Sequence, residues 1–327
     1  MLDKIKKTIL FQGHLSKTDY FEGWYYKHVS ADQKTSLSFI PAVSLSKEDT
    51  HSFIQYILVR KQDTGETITQ TGYIRFPVSD FTYTHEPFSA TIGASTFSES
   101  GLVIDLQDES FTFKGKIDYG LLHPIQTTPL QPNIMGIFGY LPKMECYHGV
   151  ISMKHDLTGH LEINGEKVDF TGGRGYIEKD WGTSFPKEYI WLHSNNFREK
   201  TASLFFSVAH IPFHFTAFEG FICNFVIHNR EYRFATYNKS TCQVEQATSE
   251  YVNIHLENKK ATLEIKAEVL DQGKLIAPVK GTMTKAIKEG ISGILSVELK
   301  DKRTGEVFSD IGQNAGVEIV DYEQTHD

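Results

Sequence analysis

Almost every stretch of this chain alternates apolar and polar residues with a period of two. Ser36-Leu37-Ser38-Phe39, Thr67-Ile68-Thr69, Val103-Ile104-Asp105-Leu106 and Asn253-Ile254-His255-Leu256 are examples. A strand turns successive side chains to opposite faces, so this pattern suits half-buried strands and not helices. Turn residues break the pattern at Thr64-Gly65, Gln272-Gly273 and Thr304-Gly305. Between Gly159–Ile163 and Glu166–Phe170 stands Asn164-Gly165, which supplies the positive φ angles of a two-residue type I′ hairpin. Helical periodicity is weak, the best candidate being a short piece around Met283–Lys288. The expectation is an all-β chain of many short strands, arranged as sandwiches or barrels.

At 327 residues the chain can form one large domain or two medium ones. An internal repeat favours two. Trp24, Ser36, Leu37 and Phe39 are matched by Trp191, Ser203, Leu204 and Phe206, each 191 − 24 = 167 positions later. Phe53-Ile54 faces Phe221-Ile222 with one residue of slippage. That spacing is too long for a propeller blade or a solenoid repeat. The split is placed near Pro186, giving domains at 1–186 and 187–327.

Lysine and arginine number 33 against 41 aspartates and glutamates, so the net charge of −8 argues against nucleic acid or an anionic membrane surface as the main partner. Cys146, Cys223 and Cys242 are widely spaced, which supports neither a disulfide framework nor a thiolate zinc site. No apolar run has signal-peptide or transmembrane length, so a cytoplasmic protein without stable membrane insertion is expected. Aromatic residues reach 13%, a share that favours strands and cavities for apolar ligands. One segment departs from the rest: Gly120 to Pro142 has no Asp, Glu, Lys or Arg and carries Pro124, Pro129, Pro132 and Pro142. It reads either as a packed crossover or as an apolar lid over a hydrophobic site.

GxGxxG, Walker A, GxSxG and HExxH motifs are all missing. The densest polar cluster is Gly172-Gly173-Arg174-Gly175-Tyr176-Ile177-Glu178-Lys179-Asp180-Trp181-Gly182. On a strand, Arg174, Tyr176, Glu178 and Asp180 share one face, and the two carboxylates lie roughly 7 Å apart. One could donate a proton while the other accepts one or balances Arg174. The competing reading is an Arg–Glu pair closing a barrel end, with Trp181 packed inside. In Phe21-Glu22-Gly23-Trp24-Tyr25-Tyr26-Lys27, Glu22, Trp24 and Tyr26 face one way. There Trp24 suits a barrel plug, and Glu22 needs a partner if buried. His148 and His193 are candidate proton carriers or hydrogen-bond donors, or else satisfied histidines. His210 and His214 could share a face, but Pro212 between them spoils metal geometry. Glu318, in an apolar strand, reads as one half of a buried ion pair.

Phe21-Glu22-Gly23-Trp24-Tyr25-Tyr26, Glu145-Cys146-Tyr147-His148-Gly149 and Tyr176-Ile177-Glu178-Lys179-Asp180-Trp181-Gly182 with Ser184-Phe185-Pro186 resemble the tocopherol cyclase family. Trp191-x-His193-x-Asn195 and Ala315-Gly-Val-Glu318 extend the likeness over nearly the whole chain. The resemblance implies two lipocalin-like β domains in tandem, broadly similar to carotenoid 1,2-hydratases, and closure of a prenylated hydroquinone into a chromanol. The family typically has Asn where Asp180 stands and Gln where His193 stands, so the proton inventory here differs.

Under that resemblance the chain promotes cyclisation, isomerisation or hydration of an apolar prenylated or polyene-like molecule by acid. Glu178 is the acid, Asp180 or His193 the proton acceptor, Trp24 and Trp191 the aromatic walls, and Arg174 a modulator of the carboxylates. Glu22, Tyr26, His148, Tyr176, Trp181 and Asn195 complete the expected substrate contacts. The expected partner is a small hydrophobic molecule, with no cofactor or metal. The rival from another class is a lipocalin-like carrier that binds a lipid unchanged, for which two buried carboxylates have little use.

Overall fold

The computed structural model describes residues 2–62, 64–213 and 216–322. Among them strand dominates, with one short α-helix, Leu2–Lys6, and no helix long and apolar enough to cross a membrane. The chain divides into two compact units, residues 1–185 with 275–286 and residues 186–274 with 287–327.

The first sheet comprises β1 (Tyr20–Val29), β2 (Thr35–Leu45), β3 (Thr50–Lys61), β4 (Thr67–Phe76), β5 (Phe81–His85) and β6 (Phe88–Ile92). It continues with β7 (Ser95–Ser98), β8 (Gly101–Gln107), β9 (Thr112–Tyr119), β10 (Cys146–Ile163), β11 (Glu166–Asp169) and β12 (Arg174–Gly182). Its order is β4-β3-β2-β1-β12-β10-β9-β8-β7-β6-β5, with β11 paired to β10. β4 and β5 therefore lie at opposite ends of the sheet, yet residues 77–80 alone connect them. Four residues span at most about 14 Å, so the sheet must curl until its ends meet, which makes a barrel.

The second sheet repeats this plan. Its strands are β13 (Tyr189–Ser194), β14 (Asn196–Phe197), β15 (Ser203–Phe213), β16 (Thr216–Ile227), β17 (Arg230–Ala235) and β18 (Thr241–Ala247). There follow β19 (Tyr251–Glu257), β20 (Ala261–Glu268), β21 (Gly273–Val279), β22 (Thr282–Asp301) and β23 (Val307–Val320). The order β17-β16-β15-β13-β23-β22-β20-β19-β18 again puts two consecutive strands, β17 and β18, at opposite ends with only residues 236–240 between them. The chain is thus all-β, with two lipocalin-like antiparallel units in tandem.

Each barrel is filled by one parity of its strands. Trp24, Tyr26, Leu37, Phe39, Phe97, Phe113 and Ile177 belong to the first core, and Ile190, Leu192, Leu204, Phe206, Cys223 and Phe225 to the second. The hairpin at Asn164-Gly165 forms as its sequence requires, with φ of 53° and 79°. Two expectations need correction. Met283–Lys288 is no helix; it lies inside β22, which pairs with β21, and tertiary pairing overrides the weak helical pattern of so short a piece. The repeat also holds only in part. Leu37 and Leu204, and Phe39 and Phe206, are core residues of equivalent strands, but Trp24 is core whereas Trp191 faces away from its own core. Trp24 lies across from position 41 in the β1–β2 register, and Trp191 across from Ser207, so the two hairpins differ by one residue.

The N-terminal segment is tied to the first barrel by three buried side chains. Trp24 Nε1 donates to the Ile9 carbonyl at 2.7 Å. Lys179 Nζ donates to the Thr8 carbonyl at 3.0 Å and to that of Leu10, and pairs with Glu22. Glu22 also accepts from Gln12 N at 2.7 Å, from Gly13 N at 2.9 Å and from the Tyr20 hydroxyl. A Cβ on Gly149 would sit 2.6 Å from Thr8 Cβ, so only glycine lets this segment lie so close to β10.

Candidate active site

β12 sits between β1 and β10, and the register fixes which side chains share its two faces. Glu178 lies across from Tyr25 and Val150, and Asp180 from Gly23 and His148. These residues occupy the face turned away from the barrel core, as strand alternation requires. On the core face, Lys179 lies across from Trp24 and Trp181 from Glu22.

His148 stands between the two carboxylates. Its Nδ1 is 2.7 Å from Asp180 Oδ1 and its Nε2 3.3 Å from Glu178 Oε2. The Tyr176 hydroxyl donates to the same Glu178 oxygen at 2.6 Å. Burial opposes charge on the imidazole, but Asp180 and Glu178 together outweigh it and hold the His148 pKa up at about 10. His148 is therefore an imidazolium at neutral pH. Burial, reinforced by Glu178, pushes the Tyr176 phenol far up, so it stays a donor. The Cys146 thiol lies 3.9 Å from Asp180 Oδ1, and burial followed by that carboxylate keeps it protonated. From the uncharged segment, Met135 Sδ approaches the His148 backbone N–H at 3.2 Å. Tyr147, next in the chain, donates from its hydroxyl to Leu141 O at 2.6 Å and stacks on Trp181.

The structure thus joins Tyr176, Glu178, His148 and Asp180 through two hydrogen bonds, Tyr176–Glu178 and His148–Asp180, linked by the His148–Glu178 ion pair. Arg174, on the same strand, bonds Asp156 at 2.7 Å. Glu22, Trp24, Tyr26 and Trp181 lie on the opposite face of the sheet from Glu178, because β1 presents Gly23, Tyr25 and Lys27 to it instead. The Lys179 ammonium, 4.7 Å from the Trp24 ring and 5.0 Å from that of Trp181, occupies the core side. Burial, only partly countered by Glu22, lowers Lys179 to about 8.

Trp191, His193 and Asn195 belong to the second unit. Trp191 and His193 are on β13, on the face away from that unit's core, with ring centroids 6.3 Å apart. Gly316 lies across from His193, and a Cβ there would meet the Trp191 ring at 2.4 Å. Asn195 accepts from Asn196 Nδ2 at 3.0 Å, and Glu318 lies across from Trp191. His210 lies 3.1 Å from Glu188 Oε2, while His214 falls outside the described residues. Among the described residues no group of three His, Cys, Asp or Glu could hold a metal ion.

Sequence reasoning passed over two neighbours of Glu178, Tyr25 and Lys27, both buried on its face; Lys27 is the register partner of Tyr176. The alternation that selected Glu22, Trp24 and Tyr26 would have given them by parity.

The sequence profile described as tocopherol cyclase-like matches residues 93–320. The protein named "Probable tocopherol cyclase, chloroplastic" from Oryza sativa subsp. japonica is 26% identical over 204 residues, covering 59% of this chain and 43% of that protein. A chloroplastic tocopherol cyclase of Zea mays is 39% identical over 51 residues, 15% of this chain and 11% of that one. The chain thus spans less than half the length of these curated relatives. Among solved structures, an AttH-like protein of Nitrosomonas europaea has a TM-score of 0.54 at 12% identity, covering 94% of each chain. Kievitone hydratase of Nectria haematococca has a TM-score of 0.53 at 11% identity, covering 95% of this chain and 93% of that one. These structures share the fold. With the profile matched over more than half its length, the chain belongs to the tocopherol cyclase-like family.

Proposed function

We propose that the chain is an acid–base catalyst that adds a proton to a carbon–carbon double bond of an apolar prenylated or polyene-like molecule. The product is a ring-closed isomer or a hydrate. The observation that carries this reading is His148 held as an imidazolium between Asp180 and Glu178.

With the Nδ1 proton given to Asp180, the Nε2 proton is the mobile one. Passed to Glu178 Oε2, it makes a neutral carboxylic acid still supported by the Tyr176 hydroxyl. That acid protonates the alkene, leaving a tertiary cation. A phenol oxygen or a water then forms the new C–O bond and loses its proton, which returns to His148 as the O–H bond breaks. Cyclisation conserves mass and hydration adds one water. Burial of this chain of groups in apolar surroundings strengthens each electrostatic step. The second candidate acceptor, His193, is tested separately by His193→Gln.

The carrier reading is weakened by the burial of Glu178, 4% exposed and fully engaged in a proton-bearing network that a neutral lipid does not require. The test is mass spectrometry of prenylated hydroquinones and a host lipid extract incubated with wild type and with Glu178→Gln. An isomer or a +18 product from wild type alone supports catalysis. The same unaltered lipid retained by both proteins would establish a carrier.

A further inference from the structure

The segment between β9 and β10 carries no Asp, Glu, Lys or Arg from Gly120 to Pro142, and while it buries Ile125, Ile134 and Met135 it leaves Leu121, Leu130, Ile137, Tyr140 and Leu141 exposed. Leu130 is 73% exposed at the tip of a tight turn closed by reciprocal Thr128–Gln131 backbone bonds of 2.9 and 3.0 Å. The Tyr140 hydroxyl donates to Pro129 O at 2.7 Å, which ties this turn to the 3-10 turn Gly136–Tyr140. Ile137 and Leu141, both exposed, project from that turn and its end. Asn133 then joins the patch to the N-terminal helix. Its Nδ2 donates to Ile5 O at 3.1 Å, and a Cβ on Gly139 would lie 2.7 Å from that same nitrogen. Exposed Lys6 is on that helix and exposed Lys143 follows the patch in the chain; Lys7 is paired with Glu86 at 2.9 Å, and Glu145 is exposed nearby in sequence.

We propose that Leu130, Ile137, Tyr140 and Leu141 form a wedge that docks this face on a phospholipid bilayer surface, with Lys6 and Lys143 at headgroup level. Isolated exposed apolar residues need no explanation, but four on two hydrogen-bonded turns within an uncharged segment form a patch. Four side chains offer far less than the roughly 800 Å² per partner that a stable protein interface needs. A bilayer interface takes a small wedge of aliphatic and tyrosine side chains with flanking lysines. The docking is peripheral and stands on the surface alone. Its use in collecting an apolar substrate directly from lipid rests on the function proposed above.

The test is co-sedimentation of the full chain with vesicles of phosphatidylcholine, alone and mixed with phosphatidylglycerol. Wild type should bind both, and the mixture more tightly, because Lys6 and Lys143 flank the wedge even though the whole chain carries a net charge of −8. Leu130→Asp/Ile137→Asp should lose about tenfold or more in partitioning, the effect of withdrawing one or two aliphatic side chains from the apolar phase. Leu130→Met/Ile137→Leu should retain binding, and circular dichroism should match wild type for both. Failure of wild type to bind either vesicle would overturn the proposal. So would binding abolished by Lys6→Glu/Lys143→Glu but untouched by the aspartates, which is electrostatic adsorption. A concentration-dependent dimer in light scattering that the aspartates dissolve, without vesicle binding, would reassign the patch to a second copy of the chain. Vesicle binding needs no turnover, so its outcome is separable from that of the proposed reaction.

Discussion

Glu178 and Lys179 are adjacent in the chain and serve opposite faces of one strand: Glu178 meets Tyr176 and His148, whereas Lys179 meets Glu22 and the carbonyls of Thr8 and Leu10. Substitutions at these neighbours should therefore weigh differently on chemistry and on stability.

Glu178→Gln keeps an oxygen for the Tyr176 hydroxyl but cannot carry the transferred proton. Turnover should fall by about two to four orders of magnitude, the range of a general acid–base contribution. Some stability should be lost as well, because Glu178 helps to hold His148 charged, so turnover is compared under conditions where circular dichroism shows both proteins folded. Product formation at the wild-type rate would remove Glu178 from the mechanism.

His148 gives a pH signature. Its pKa rises from 6.5 unfolded to about 10 folded, so the folded state binds more protons between those values. The stability it contributes is fully present below about 6.5 and is lost as pH rises through about 10. The stability gap between wild type and His148→Gln, from urea titrations across that range, should shrink steadily with rising pH. A gap that widens would contradict the imidazolium assignment.

Lys179→Met leaves Glu22 buried with no counter-charge. Breaking one side of such a pair costs about 3–5 kcal/mol. Adding Glu22→Gln should recover part of the loss, and a double-mutant cycle by denaturant unfolding measures how much. Independent, additive losses would mean that the pair does not couple.

Gly175 tests packing at the other end of β12. It lies between His28 and His155 across three strands, and a Cβ there would sit 2.1 Å from His155 Nε2. Burial holds both histidines neutral, His28 at about 4 and His155 well below its ordinary value. Gly175→Ala should destabilise by about 1–3 kcal/mol through overpacking. On a His155→Ser background the same substitution should cost far less, as read from thermal midpoints.

Alternation was enough to read the β fold, the Asn164-Gly165 turn and the shared face of Tyr176, Glu178 and Asp180, because each depends on nearest neighbours along one strand. Which face of β1 turns inward was not legible. All its residues but one are buried, so both faces look apolar and the parity carries no bias. Glu22 found its partner 157 positions away, 179 − 22, through a register that only the assembled sheet defines. His148 stood out in the sequence as a proton carrier, but its two acidic neighbours required β10 to pair with β12 in one particular register.

The pairing of β1 with β12 also orders events during synthesis. Until Gly182 has been made, β1 has one open edge awaiting a strand more than 140 residues downstream, a long-range closure of the slow kind. Residues 275–286, drawn from within the second half of the chain, belong to the first unit as well. A nascent chain therefore cannot complete its first unit and then begin its second. The first sheet has all its strands once Gly182 is made, but its compact unit is complete only after most of the second sheet has been translated.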